Sequence, residues 1–216
     1  MDKGYVKRIV ERSLIQQMIA RGEGYYVPVA ISNRHIHLCE EHLRTLFGSG
    51  YALKKLRDLS QPGQYACEET VGIKGPKGSI QKVRVLGPVR PQTQVEILHS
   101  DSFVLGIPAA IRLSGDLGGT PGCTIVGPVG EVALSEGVIV AARHLHLSSE
   151  EAGWFGLSTG DKVSVRKNGP RPVLFGDIIV RAGDGHSLET HIDFDEANAA
   201  GLLRGETLEL LKDGFA

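Results

Sequence analysis

Ten residues near the start of the chain, Val29-Ala30-Ile31-Ser32-Asn33-Arg34-His35-Ile36-His37-Leu38, have a counterpart in Val138-Ile139-Val140-Ala141-Ala142-Arg143-His144-Leu145-His146-Leu147. Each copy is an apolar run delivered into Arg-His-x-His-Leu, and an acidic pair follows each, Glu40-Glu41 and Glu150-Glu151. An apolar run that ends in a polar motif reads as a strand, and its repetition half a chain later calls for two related strand-to-helix units. The duplication predicts a pseudo-twofold arrangement, with one copy facing the other across a shared cleft.

The rest of the chain is read around these two anchors. Strands are expected at Tyr26–Ser32, Val71–Ile73, Gln81–Leu86, Gln94–Leu98 and Gly137–Ala142, with further short strands between Gly122 and Gly137. They are separated by turns at Gln61–Ala66, Gly75-Pro76-Lys77-Gly78 and Gly87-Pro88-Val89-Arg90-Pro91. Short strands with glycine-rich turns, 28 glycines in 216 residues, suit a small barrel or sandwich, so the fold class is mostly β. A short polar helix is expected from Glu40 to Phe47. Ahead of the first strand, Val6, Ile9, Val10, Leu14, Ile15, Met18 and Ile19 recur at helical spacing, and Gly22 stops the pattern. This amphipathic N-terminal helix either packs on its own domain or a dimer partner, or docks on another protein.

Composition excludes several function classes. The 24 basic and 25 acidic residues nearly cancel, which leaves no field to recruit nucleic acid or an anionic membrane surface. No run of about 18 apolar residues is present, and the start lacks a secretory core. Cys39, Cys67 and Cys123 form no Cys-x-x-Cys pair, which fits a reducing compartment and a cytoplasmic location.

On an extended strand, side chains two apart share a face, so His35 and His37 form one pair of imidazoles and His144 and His146 another. A catalytic zinc site takes about three protein ligands and leaves one position open, so each pair lacks one donor. Candidates are Glu96, a carboxylate inside the apolar run Val95-Glu96-Ile97, and His191 in Glu189-Thr190-His191-Ile192-Asp193, since both are costly to bury unpaired. A single His-x-His is ordinarily a partly exposed strand face; its duplication behind the same apolar lead-in favours a metal site. His42, His99 and His186 sit in polar helix, loop or turn contexts and are assigned to the surface. Cys39 continues the His35–His37 face but aligns with Ser148, so it is read as a helix start and not a ligand. Arg34, Arg143, Arg84 and Arg90 could converge on an anion near the metals. The Ser114–Gly122 stretch is a weak phosphate-loop signal. No Gly-x-Ser-x-Gly elbow occurs, so covalent catalysis is not expected.

Taken together, Ser32-Asn33-Arg34-His35-Ile36-His37-Leu38, Gln61-Pro62-Gly63-Gln64-Tyr65-Ala66, Leu86-Gly87-Pro88, Gln94-Val95-Glu96-Ile97, Ser114-Gly115, Arg143-His144-Leu145-His146 and His191-Ile192-Asp193-Phe194-Asp195-Glu196-Ala197-Asn198 resemble the PduL-type phosphotransacylases, or phosphate propanoyltransferases. The resemblance runs from about Val27 to near the C-terminus. It implies two pseudo-symmetric β-barrel domains with short helical caps: an amphipathic helix over 1–21, one discontinuous barrel from 22–33 plus 143–216, and a second from 34–142. It also implies two divalent metals, expected to be Zn2+, one on His35, His37 and Glu96 and the other on His144, His146 and His191. By the same resemblance Arg90 contacts phosphate, while Ser32, Arg84, Leu86, His191 and Asn198 line a coenzyme A cleft.

The implied reaction is reversible transfer of a short acyl group, propionyl or acetyl, between coenzyme A and inorganic phosphate. A homo-oligomer is expected, with no nucleic-acid or membrane partner. Many such relatives carry an N-terminal peptide that packs them into a bacterial microcompartment, where shell or lumen proteins would be partners. Here the helix runs almost directly into the first strand, which leaves encapsulation open. Cys39 stands where the family commonly has serine. The competing enzyme reading is a two-metal hydrolase of phosphate esters or thioesters; the non-enzymatic one is a metal- or nucleotide-binding module with structural histidines.

Overall fold

The computed structural model describes residue 10, residues 13–18, residue 21 and residues 24–212. The amphipathic helix expected over 1–21 falls for the most part outside the described residues. The chain separates into two compact units. One comprises the described chain before Ser32, Arg143–Ile192 and the chain from Glu196 onward; the other comprises Ser32–Ala142 with Asp193–Asp195. As the short strands and glycine-rich turns predict, the fold is mostly β. The expected pair of barrels takes the form of one closed six-stranded barrel and one curled half-barrel sheet.

The barrel contains β1 (Tyr25–Ser32), β11 (His144–Leu147), β12 (Lys162–Lys167), β13 (Val173–Ala182), β14 (Glu189–Asp193) and β15 (Thr207–Lys212). Their order is β1-β14-β11-β13-β12-β15, and β1 closes onto β15 with Val27 opposite Leu208. Alternation makes the core: Val27 and Val29 of β1 and Val163 and Val165 of β12 are buried, while Tyr26, Pro28, Lys162 and Arg166 face out. Leu145, Leu147, Ile178, Val180, Ile192 and Leu208 complete the interior. Each such side chain contributes about 1.5–3 kcal/mol on burial. Helix α3 (Ser149–Phe155) lays Ala152 and Phe155 on this core, and α4 (Phe194–Ala200) lays Ala197 and Ala200 on it.

The second unit holds β2 (His35–His37), β3 (Lys55–Asp58), β4 (Tyr65–Lys74), β5 (Ser79–Gly87), β6 (Gln94–Ile97), β7 (Ile111–Arg112), β8 (Thr124–Val126), β9 (Glu131–Ala133) and β10 (Val138–Ala141). The sheet runs β7-β10-β6-β2-β5-β4-β8-β9, with β3 paired on β4. Its core includes Ile36, Leu38, Val83, Val85, Val95, Ile97 and Ile125, and α1 (Glu40–Phe47) adds Leu43 and Leu46. Helix α2 (His99–Leu105) follows β6 and contributes Leu105. The turn expected over Gln61–Ala66 is shorter than predicted, because Tyr65 and Ala66 already pair with Gly87 and Leu86. A Cβ at Gly87 would lie 2.3 Å from the Tyr65 ring, so the absent side chain is what admits the tyrosine. Among the described residues no helix is long and apolar enough to cross a membrane.

Candidate metal centre

In the half-barrel unit the three-residue strand β2 lies between β5, parallel to it, and β6, antiparallel to it. Ile36 and Leu38 belong to the apolar core, which turns His35 and His37 to the opposite face. Register sets His35 opposite Glu96 and Arg84, and His37 opposite Gln94 and Leu86. His35 Nε2 is 3.3 Å from Glu96 Oε2. Its Nδ1 lies 2.8 Å from the Asn33 carbonyl, which can only accept, so the neutral ring carries its proton on Nδ1 and presents the Nε2 lone pair. His37 Nδ1 is buried without a hydrogen-bond partner. Donor atoms of His35, His37 and Glu96 all lie within 4.8 Å of one another.

Electrostatics separates the two rings. Burial, with the positive neighbours His35 and Arg90 adding to it, lowers the His37 pKa to about 3, so that ring keeps its lone pair. Burial also opposes charge on His35, but the Glu96 carboxylate outweighs it and holds that pKa above the ordinary value. Glu96 is itself held: its Oε1 accepts from Gln94 Nε2 at 2.6 Å, and Gln94 Oε1 accepts from the Gly115 N–H at 2.8 Å. Ser114 Oγ accepts from Gln94 Nε2 at 2.8 Å and from Arg90 Nη1 at 2.9 Å. The Arg90 backbone N–H reaches the Leu38 carbonyl at 2.9 Å. Arg90 is thereby connected to the Glu96 carboxylate through Ser114 and Gln94.

The barrel unit repeats the plan. Strand β11 runs parallel to β13 and antiparallel to β14, with His144 opposite His191. Leu145 and Leu147 fill the barrel, and His144 and His146, on the other face, are buried too. The rings of His144, His146 and His191 are mutually 4.7 Å apart, and their donor atoms lie within 4.8 Å. Both His146 nitrogens and His191 Nε2 are buried without a hydrogen-bond partner. Glu189 Oε2 is 3.0 Å from His191 Nε2, an ion-pair distance without hydrogen-bond alignment. Burial, then His191 and His144, lowers the His146 pKa to about 2. Three imidazoles crowded together, with buried unpaired nitrogens on His146 and His191, are costly as they stand, and a shared divalent cation would satisfy them. Both donor sets therefore fit a metal that takes nitrogen and oxygen ligands.

The correspondence goes deeper than the ten-residue repeat. Glu96 and His191 each sit opposite the first histidine of their unit, and each precedes a seven-residue helix by three positions. Sequence comparison misses this because Glu96 and His191 are 95 residues apart whereas the His-x-His pairs are 109 apart, and the surrounding residues hardly match.

Other expected residues fall as follows. Arg34 and Arg143 are each engaged by an acid of their own unit: Arg34 forks onto Asp101, and Arg143 pairs with Glu196. Both acids are distant in sequence, which hid the pairing. Arg84, beside His35 on β5, donates Nη1 to the Cys67 and Glu68 carbonyls at 3.0 and 2.8 Å. Leu86 is half-buried opposite His37, Ser32 is half-buried at the end of β1, and Asn198 is exposed on α4. Cys39 and Ser148 occupy the N-cap positions of α1 and α3, as a helix-start reading predicts. Of the histidines assigned to the surface only His99 is exposed. His42 Nδ1 bonds Thr93 Oγ1 at 2.8 Å, and a turn closed by His186 N–H to the Gly183 carbonyl brings the His186 ring within 4.2 Å of His146. Neither contact has a periodic signal in the sequence.

With this geometry in place, comparison with known proteins is specific. The family model for phosphate propanoyltransferase matches residues 28–203. A phosphate propanoyltransferase of Thermotoga maritima is 47% identical over 92% of this chain and 94% of its own length. Those of Sebaldella termitidis and Rhodobacter capsulatus are 45% and 46% identical, over 96% and 91% of this chain and 97% and 92% of theirs. The chain belongs to the phosphate propanoyltransferase family, a family of phosphate acyltransferase enzymes.

Proposed function

We propose that this chain transfers a short acyl group reversibly between coenzyme A and inorganic phosphate, and that each unit holds one divalent metal, Zn2+ being the ion its donors suit. The observation that carries the reading is the pair of three-donor groups, His35, His37, Glu96 and His144, His146, His191, in a chain of this family. Three protein ligands leave a coordination position for substrate, which speaks for a catalytic and against a closed structural site. When bound there, a divalent metal supplies Lewis-acid stabilisation of charge on phosphate and carbonyl oxygens.

The chain's own residues supply the rest. The Arg90 guanidinium, steadied by Ser114 Oγ, is proposed to contact phosphate. A phosphate oxygen attacks the thioester carbonyl carbon, the carbon–sulfur bond breaks, and the phosphate proton ends on the departing thiol. Acyl phosphate and free coenzyme A result, and no acyl-enzyme is needed. Ser32, Arg84, Leu86, His191 and Asn198 are proposed to line the coenzyme A position; in support, Arg84 and Leu86 lie directly beside His35 and His37.

The test is thiol release from acetyl-, propionyl- and butyryl-CoA by zinc-loaded protein, with and without phosphate. Release that depends on phosphate is expected, as is a phosphate KM raised about tenfold or more in Arg90→Ala. Equal release without phosphate would identify a two-metal hydrolase instead. His144→Ala should abolish turnover and leave the fold intact.

A further inference from the structure

We propose that Arg34 and Arg143 are positioning residues, each of which locks its His-x-His strand to the element that carries the third metal ligand of the same unit. This rests on the metal-binding reading above. In the half-barrel unit Arg34 forms a two-point fork with Asp101, Nε to Oδ2 at 2.7 Å and Nη2 to Oδ1 at 2.8 Å. Asp101 is buried and also accepts the Leu98 N–H at 3.0 Å. Leu98 directly follows Ile97, the last residue of β6, so the fork fastens the start of β2 to the end of the strand that presents Glu96.

The barrel unit has the same device in different residues. Arg143 Nε pairs with Glu196 Oε1 on α4, immediately after the strand that presents His191. Its Nη1 donates to the Gly176 carbonyl at 3.1 Å on β13, and its guanidinium lies 5.5 Å from the Phe175 ring. In both units the arginine precedes the first histidine by one residue, and the acid follows the third ligand by five. One acid is Asp and the other Glu, so the placement recurs where the residue type does not.

Physical need explains the placement. Strand β2 has three residues, too few for its ladder alone to hold a chelating pair against a ligand on another strand. A guanidinium–carboxylate fork fixes rotation as well as distance. It also fixes the Asn33–Arg34 peptide, whose Asn33 carbonyl sets the tautomer of His35. Metal ligands lose about 10- to 100-fold in affinity when such supporting contacts are removed.

The experiment measures zinc affinity by chelator competition in two backgrounds. His144→Ala with His146→Ala leaves the His35, His37, Glu96 group; His35→Ala with His37→Ala leaves the other. Arg34→Gln and Asp101→Asn should each weaken zinc about 10- to 100-fold in the first background only. Arg143→Gln and Glu196→Gln should do so in the second only, and each double variant should be no weaker than its worse single. The metal-free variants should melt within a few degrees of their metal-free backgrounds. Affinities within twofold of background, equal loss in both backgrounds, or metal-free melting that collapses in step with affinity would each overturn the positioning role. A chain with all six ligands that takes up no zinc overturns the metal reading and this role with it, whereas normal uptake with unaffected variants overturns this role alone.

Discussion

Gln94 and Glu96 are two apart on β6 and share a face, and the bond between them decides which carboxylate oxygen stays available to a cation. Gln94 Nε2 occupies Glu96 Oε1, while Oε2 faces His35. Gln94→Leu removes that donor and the links to Ser114 and the Gly115 N–H. Zinc at the His35, His37, Glu96 group should then bind about 10- to 100-fold more weakly, by chelator competition; unchanged binding would show that the carboxylate needs no such support. The donors themselves are legible in the sequence, because side chains two apart on a strand must share a face and because a carboxylate inside an apolar run needs a partner. Gln94 is not, since nothing in Gln94-Val95-Glu96 states which neighbour the amide meets. Arg34 and Arg143 look like free cations in sequence for the same reason: their acids arrive from 67 and 53 residues away.

At the scale of the element, β11 serves two purposes with its two faces. Leu145 and Leu147 fill the barrel and His144 and His146 present their rings, so all four residues are buried. Truncation on one face should leave the other usable. Leu145→Ala removes a fully buried side chain and is expected to cost about 2–5 kcal/mol of stability, read by denaturant unfolding. At saturating zinc its metal stoichiometry should stay that of the unaltered chain. Loss of metal in protein that is still folded would mean that the faces are not independent. The longer strands β1 and β5 and the helix over Glu40–Phe47 are readable in advance, the strands because turn residues bound their apolar runs and the helix because its polar stretch follows a helix-start position. β8 and β9 fall in the stretch between Gly122 and Gly137 where short strands are expected without bounds, whereas β7 has two residues and β3 is exposed throughout, so neither of those two repeats a pattern long enough to register. β7 depends on β10 and β8 on β4, partners far along the chain, whereas β3 and β9 pair with the neighbouring strands β4 and β8.

Over the whole molecule, two hydrophobic clusters and two donor groups divide between the units, one of each apiece. The duplicated motif makes that division legible; strand order is not, because neighbours such as β2 with β5 and β11 with β13 are joined only by long-range pairing. Metal bound to folded protein and not to the unfolded chain stabilises by mass action, by about 4 kcal/mol per site when free zinc is 1,000 times its Kd. The unaltered chain should therefore gain from two sites, and the His144→Ala, His146→Ala chain from one. Melting followed across a zinc titration reads the difference: both proteins rise with zinc, the variant rises less, and excess chelator abolishes the rise in both. An identical zinc response in the two proteins would show that His144 and His146 hold no metal, and a variant with no response at all would show that His35, His37 and Glu96 hold none.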